Sequence, residues 1–153
     1  MFVDVLRCTT CVAVACAWGA LVLPYEWQDA SVARDAARHQ ALVAGQRGHP
    51  ASPWSLSPTD LLAIARGTRL VLPSPNGSVL SFDRQRVSPE GLATTAALRD
   101  AQSAIESTLM RSGSGRELIA RGWADDVATA AQLDADDCGA LLRLPVREYA
   151  CAQ

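Results

Sequence analysis

The sequence predicts an α/β fold, a three-layer α/β/α arrangement with a short, mostly parallel sheet of about three strands and a helical C-terminal part. Three observations carry that expectation. Apolar stretches at residues 2–6, 20–24 and 69–73, the first of them β-branched, each run into a turn signal. Between them lie Ala-rich or amphipathic stretches at helical spacing. From residue 88 onward the hydrophobic pattern is helical only.

Phe2-Val3-Asp4-Val5-Leu6 reads as the first strand, ending in a turn that carries Arg7, Thr9 and Thr10 and running into an Ala-rich helix closed by Gly19. Ala20-Leu21-Val22-Leu23-Pro24 is a short continuous apolar run, as expected of a strand covered on both faces. Over residues 29–44, Val32, Ala33, Ala36, Ala37 and Ala41 share one helical face, with Arg34, Asp35, Arg38 and His39 on the other and Gly45 as the stop. Residues 45–58 are rich in Gly, Pro and Ser and predict a loop, a common place for ligand contacts. Pro58 opens a short helix, and Arg69-Leu70-Val71-Leu72-Pro73 is the third strand. Helices then follow from Ser88 to the glycines at 113 and 115, over 115–122 and over 123–133.

The chain has 153 residues, 49% hydrophobic and 20% charged, which fits a single domain with an α/β part over 1–83 and a helical part over 84–153. All 14 basic residues are arginines, scattered along a chain of net charge -2, which argues against a nucleic-acid surface. No stretch reads as a secretory signal, and no apolar run approaches the ~18 residues of a membrane span, so the expected compartment is the cytoplasm. Five cysteines then fit reduced thiols, with Cys16 and Cys138 as small core residues. His39 and His49 are expected to be solvated, and Trp18, Trp27, Trp54 and Trp123 to be packing or loop anchors.

Parallel first and third strands would bring the turn after Val5 and the turn after Leu72 to one sheet edge, the place where open α/β sheets bind ligands. Asp4, Arg7, Thr9 and Thr10 would then share a pocket with Asn76, Gly77 and Ser78. Arg7 offers a planar donor fork for an oxyanion, the hydroxyls add donors, and Gly77 admits close backbone approach.

The heptapeptide Asp4-Val5-Leu6-Arg7-Cys8-Thr9-Thr10 resembles the Asp-Val-Leu-Arg-Ala-Thr-Thr signature of the 2-phosphosulfolactate phosphatase (ComB) family, magnesium-dependent enzymes named for a step of coenzyme M biosynthesis. Further stretches agree in order. Gly45-Gln46-Arg47 resembles the family's Gly-Glu-Arg, Ser74-Pro75-Asn76-Gly77-Ser78 its Thr-Thr-Asn-Gly-Thr, and Ser114-Gly115-Arg116-Glu117-Leu118 its Ser-Gly-Arg-Glu-Leu. The resemblance implies hydrolysis of a small phosphorylated organic acid with Mg2+. It assigns Asp4 and Arg7 to catalysis, Asp4 to the metal, and Thr9, Thr10, Arg47, Asn76, Gly77 and Ser78 to the substrate. The family's elements between the Asn-Gly-Thr turn and the long C-terminal helix are missing here, and Gln46 stands where the family has a glutamate. An internally shortened relative with a weakened metal site is therefore expected, the alternative being a non-catalytic anion-binding remnant. Strand edges left uncovered by the shortening predict instability or association into a homo-oligomer.

A rival reading comes from Cys8-Thr9-Thr10-Cys11, a C-x-x-C unit at a helix start, where a thiol redox centre would be favoured by the first-turn amides.

Overall fold

The computed structural model describes residues 5–49, 52–75, 104–132 and 138–152. They form an α/β structure built on a five-stranded mixed sheet of order β2-β3-β1-β5-β4. The strands are β1 (Leu21–Tyr25), β2 (Leu42–Val43), β3 (Arg69–Pro73), β4 (Ala140–Arg143) and β5 (Glu148–Cys151). The helices are α1 (Thr10–Ala17), α2 (Ser31–Arg38), α3 (Pro58–Leu61), α4 (Ile105–Arg111), α5 (Gly113–Ala120) and α6 (Ala124–Ala130).

Two of the three expected strands form where the continuous apolar runs lie. β1 pairs parallel with β3 in a register that sets Val22 against Leu70 and Leu23 against Val71. Alternation then sorts the side chains onto two faces. Val22, Leu70 and Leu72 join one core with Cys11, Ala15 and Cys16 of α1 and Leu61 of α3. Leu23 and Val71 join another with Ala36 and Val32 of α2. Val22, Leu70, Val71, Leu72 and Leu61 are fully buried, and each such side chain contributes roughly 1.5–3 kcal/mol of transfer free energy.

The expected N-terminal strand does not form in its described part. Val5–Thr9 is a π-helical turn that runs directly into α1, and Leu6 is buried against Leu118 and Val127 rather than in the sheet. The place beside β1 opposite β3 belongs to another strand. β5 pairs antiparallel there, with Val22 opposite Tyr149, and β4 pairs with β5 to complete a C-terminal hairpin. The sheet is therefore mixed and five-stranded rather than mostly parallel with three, and two of its strands lie in the part expected to be wholly helical.

The helix expected over 29–44 is shorter. α2 ends at Arg38, Gln40 adopts a left-handed φ of 51°, and the chain re-emerges as β2, parallel to β3. Asp29 accepts the Ser31 amide at 2.8 Å and the Ser31 hydroxyl just ahead of α2. These bonds hold the Asp29 carboxyl below its ordinary range.

The cysteines also depart from expectation. Cys138 and Cys151 form a disulfide that ties the chain two residues before β4 to the end of β5, a closure of this loop length stabilising by about 3 kcal/mol. Cys8, Cys11 and Cys16 are buried thiols of the α1 core. Burial pushes the Cys16 thiol up to about 12. A redox centre needs an accessible thiol of lowered pKa, and the C-x-x-C unit instead points its sulfurs into the core.

β4 lies at the edge of the sheet and leaves Leu141 59% exposed, with Leu144 and Val146 exposed in the turn that follows. No helix among the described residues is long and apolar enough to cross a membrane.

Candidate functional site

The segments that follow β1 and β2 line one cleft at the C-terminal end of the parallel strands, the position expected for a ligand site in a sheet of this type. From β1 the chain reaches Gln28, whose Nε2 donates to the Pro73 carbonyl at 2.9 Å and so joins the exits of β1 and β3. From β2 it passes Ala44 and Gly45 into Gln46 and Arg47. That loop is held at its base: the Ser52 hydroxyl donates to the carbonyls of Val43 and Trp54 at 2.7 and 2.8 Å, and the Gly45 amide donates to Trp54.

Arg47 is the centre of a buried polar cluster. Its Nε donates to Asp126 Oδ2 at 2.7 Å and its Nη2 donates to the Leu6 carbonyl at 2.9 Å. The other Asp126 oxygen, Oδ1, accepts from the Ser57 hydroxyl at 2.6 Å and from the Thr59 amide at 3.2 Å. Ser57 stands where a helix cap belongs, yet it does not cap α3. Asp126, from the first turn of α6, instead satisfies an orphan amide of α3 from across the fold. One carboxylate thus binds the N-terminal π-turn, the 45–58 loop and the C-terminal helices together. Its side chain is 1% exposed, and breaking a buried pair of this kind by removing one partner costs about 3–5 kcal/mol.

The cleft has a volume of about 430 Å³. Gln28, Gln46, Arg47 and Arg121 supply its polar walls, while Leu56, Leu118 and Trp123 supply the apolar ones. Arg47 carries five N–H donors, two of which are used on Asp126 and Leu6 among the described residues. Arg121 pairs with Glu117 at 2.7 Å in an exposed position, where such a pair is worth little and yields readily to another anion.

The expected site residues fall out as follows. Arg47 lines the cleft, but as a clasp to Asp126 and Leu6 as well as a wall. Through the Leu6 carbonyl it brings the N-terminal motif next to the Gly45-Gln46-Arg47 motif. Arg7 lies within the π-helical turn, Thr9 at its exposed end, and the half-buried Thr10 opens α1, so these three are on helical backbone rather than in a strand-ending turn. Asp4, Asn76, Gly77 and Ser78 lie outside the described residues. The chain leaves toward Asn76 from buried Ser74, whose amide donates to Tyr25 at 2.9 Å beside the exits of β1 and β3.

Asp126, Ser57 and Arg121 were not among the expected site residues. Asp126-Val127 follows the Ser-Gly-Arg-Glu-Leu stretch in the resemblance and Ser57 reads as a helix entry, but neither signal points to a buried clasp on Arg47. His39 is half-buried rather than solvated, 3.9 Å from Asp35 in a second cleft of about 280 Å³ on the α2 side of the sheet. Trp27, in the loop after β1, is 60% exposed and lines that second cleft.

For magnesium, the described residues alone do not supply a ligand set. No group of three His, Cys, Asp or Glu side chains among them is placed to hold a metal ion, and both oxygens of Asp126 are engaged. No protein-family model and no curated protein matches the chain.

Proposed function

We propose that the cleft beside Arg47 binds the phosphoryl group of a small phosphorylated organic acid, and that the chain is a phosphomonoester hydrolase of the 2-phosphosulfolactate phosphatase type, internally shortened and acting in the cytoplasm. The observation that carries the reading is the convergence of Arg47, Arg121 and the amides of Gln28 and Gln46 on one cleft at the ends of the parallel strands. Phosphoryl transfer spreads charge over equatorial oxygens, so oriented donors contribute most of what a protein can offer. Arg47 is already oriented by Asp126 and loses little freedom on meeting an anion. In this reading Arg7, Thr9, Thr10, Asn76, Gly77 and Ser78 add donors from the two neighbouring segments. Magnesium falls to Asp4.

A second reading, non-catalytic anion binding, is favoured by the state of the carboxylates. Asp126 is fully committed to the fold, and Glu117 is paired with Arg121. The described walls therefore offer donors without a base.

Hydrolysis of p-nitrophenyl phosphate with and without magnesium, beside Asp4→Asn and Arg7→Ala, separates the two. Metal-dependent release reduced at least a hundredfold by either substitution is expected. Release that ignores magnesium and both substitutions removes the enzyme reading, and saturable phosphate binding without turnover selects the second.

A further inference from the structure

We infer that, among small phosphorylated organic acids, this cleft prefers those whose organic body carries a flat aromatic ring, an inference that rests on the anion reading above. A phosphoryl group and a short acid chain need only donors around them. This cleft adds a wall of Trp123, Leu56 and Leu118, and its volume of about 430 Å³ falls in the range of about 300–1,000 Å³ that encloses larger organic ligands.

Trp123 is built as a fixed surface rather than a mobile one. Its amide donates to the Leu118 carbonyl at 2.9 Å, and the residue packs against the cluster of Leu6, Leu118 and Val127. Gly48 lies beside the benzo edge of the ring, where a Cβ would come 3.4 and 3.5 Å from Cζ2 and Cη2 of the indole. Gly48 also has a φ of +72°, a conformation that disfavours side chains independently. An indole held in place needs little ordering when a second ring meets it. Arg121, on the same cleft, presents a guanidinium that takes either the phosphoryl oxygens or the face of the ring.

Calorimetric titration with phenyl phosphate, ethyl phosphate and inorganic phosphate tests the inference, because the two esters carry the same charge and differ only in the body. The wild-type protein is expected to bind phenyl phosphate about tenfold more tightly than ethyl phosphate. Trp123→Leu should bring that ratio close to one, and Trp123→Phe should keep most of it. If Trp123→Leu does not fold, Leu56→Ser on the opposite element should lower the same ratio. Equal affinities for the two esters in the wild-type protein overturn the ring preference and leave the anion reading standing. Absence of binding for all three ligands overturns the anion reading, and the ring preference with it.

Discussion

Arg47–Asp126 and Arg121–Glu117 both close at 2.7 Å, and both stand beside the same cleft. Their surroundings are opposite. The first pair is 11% and 1% exposed and is completed by the Leu6 carbonyl, the Ser57 hydroxyl and the Thr59 amide. The second is 64% and 55% exposed, one turn apart on the helical surface. Distance therefore says little about what a pair contributes. In the buried pair, neither charge can be left alone without stranding the other away from water. In the exposed pair, water replaces either partner at almost no loss, which leaves Arg121 available to a ligand.

The comparison can be broken most directly at Asp126. Asp126→Ala strands the Arg47 guanidinium and the Thr59 amide together, and urea denaturation should show a loss of about 3–5 kcal/mol. Asp126→Asn keeps an acceptor for the Ser57 and Thr59 donors and should lose less. A loss below about 1 kcal/mol for the alanine variant would mean that the clasp is solvated.

Cys16 sharpens the same contrast between buried and exposed groups. Its thiol titrates at about 12 in the folded chain against 9.0 ordinarily, so between those values the folded state holds more protons than the unfolded one. The stability it contributes is complete below about pH 9 and is lost as the pH rises toward about 12. Denaturation at pH 8 and pH 10.5 should show this decline, and Cys16→Ala should flatten it. A thiol that reacts with iodoacetamide at pH 8 without unfolding would contradict the burial.

The smallest effect is expected at the exposed pair. Arg121→Ala should change stability by no more than about 0.5 kcal/mol, and added salt should bring the wild-type and variant curves together. The same variant should weaken phosphate binding several-fold, which separates a ligand-facing arginine from a structural one.

How far the fold could be read in advance depended on how locally each element is specified. Leu21–Tyr25 and Arg69–Pro73 were legible because continuous apolar runs between turn signals suit strands covered on both faces. α5 and α6 were legible from glycines and spacing. The hairpin of β4 and β5 was not, since ALLR and EYAC are short and carry no β-branched run. Val5 and Leu6 looked like a strand from their own chemistry, whereas in the fold Leu6 packs against Leu118 and Val127 and β5 lies beside β1. At the site, Arg47 was visible in its motif, whereas Asp126 lies 79 residues away and met it through helix packing.

What the amino-acid order determined by itself was the α/β character, the two central strands and a cationic loop after Gly45, because alternation, apolar runs and turn residues act within a few residues of one another. Tertiary structure alone decided which strand lies beside β1, which cysteines pair, and which arginine is locked and which is left accessible. Those outcomes depend on competition for shared neighbours and on removal from water, and neither is a property of any segment taken singly.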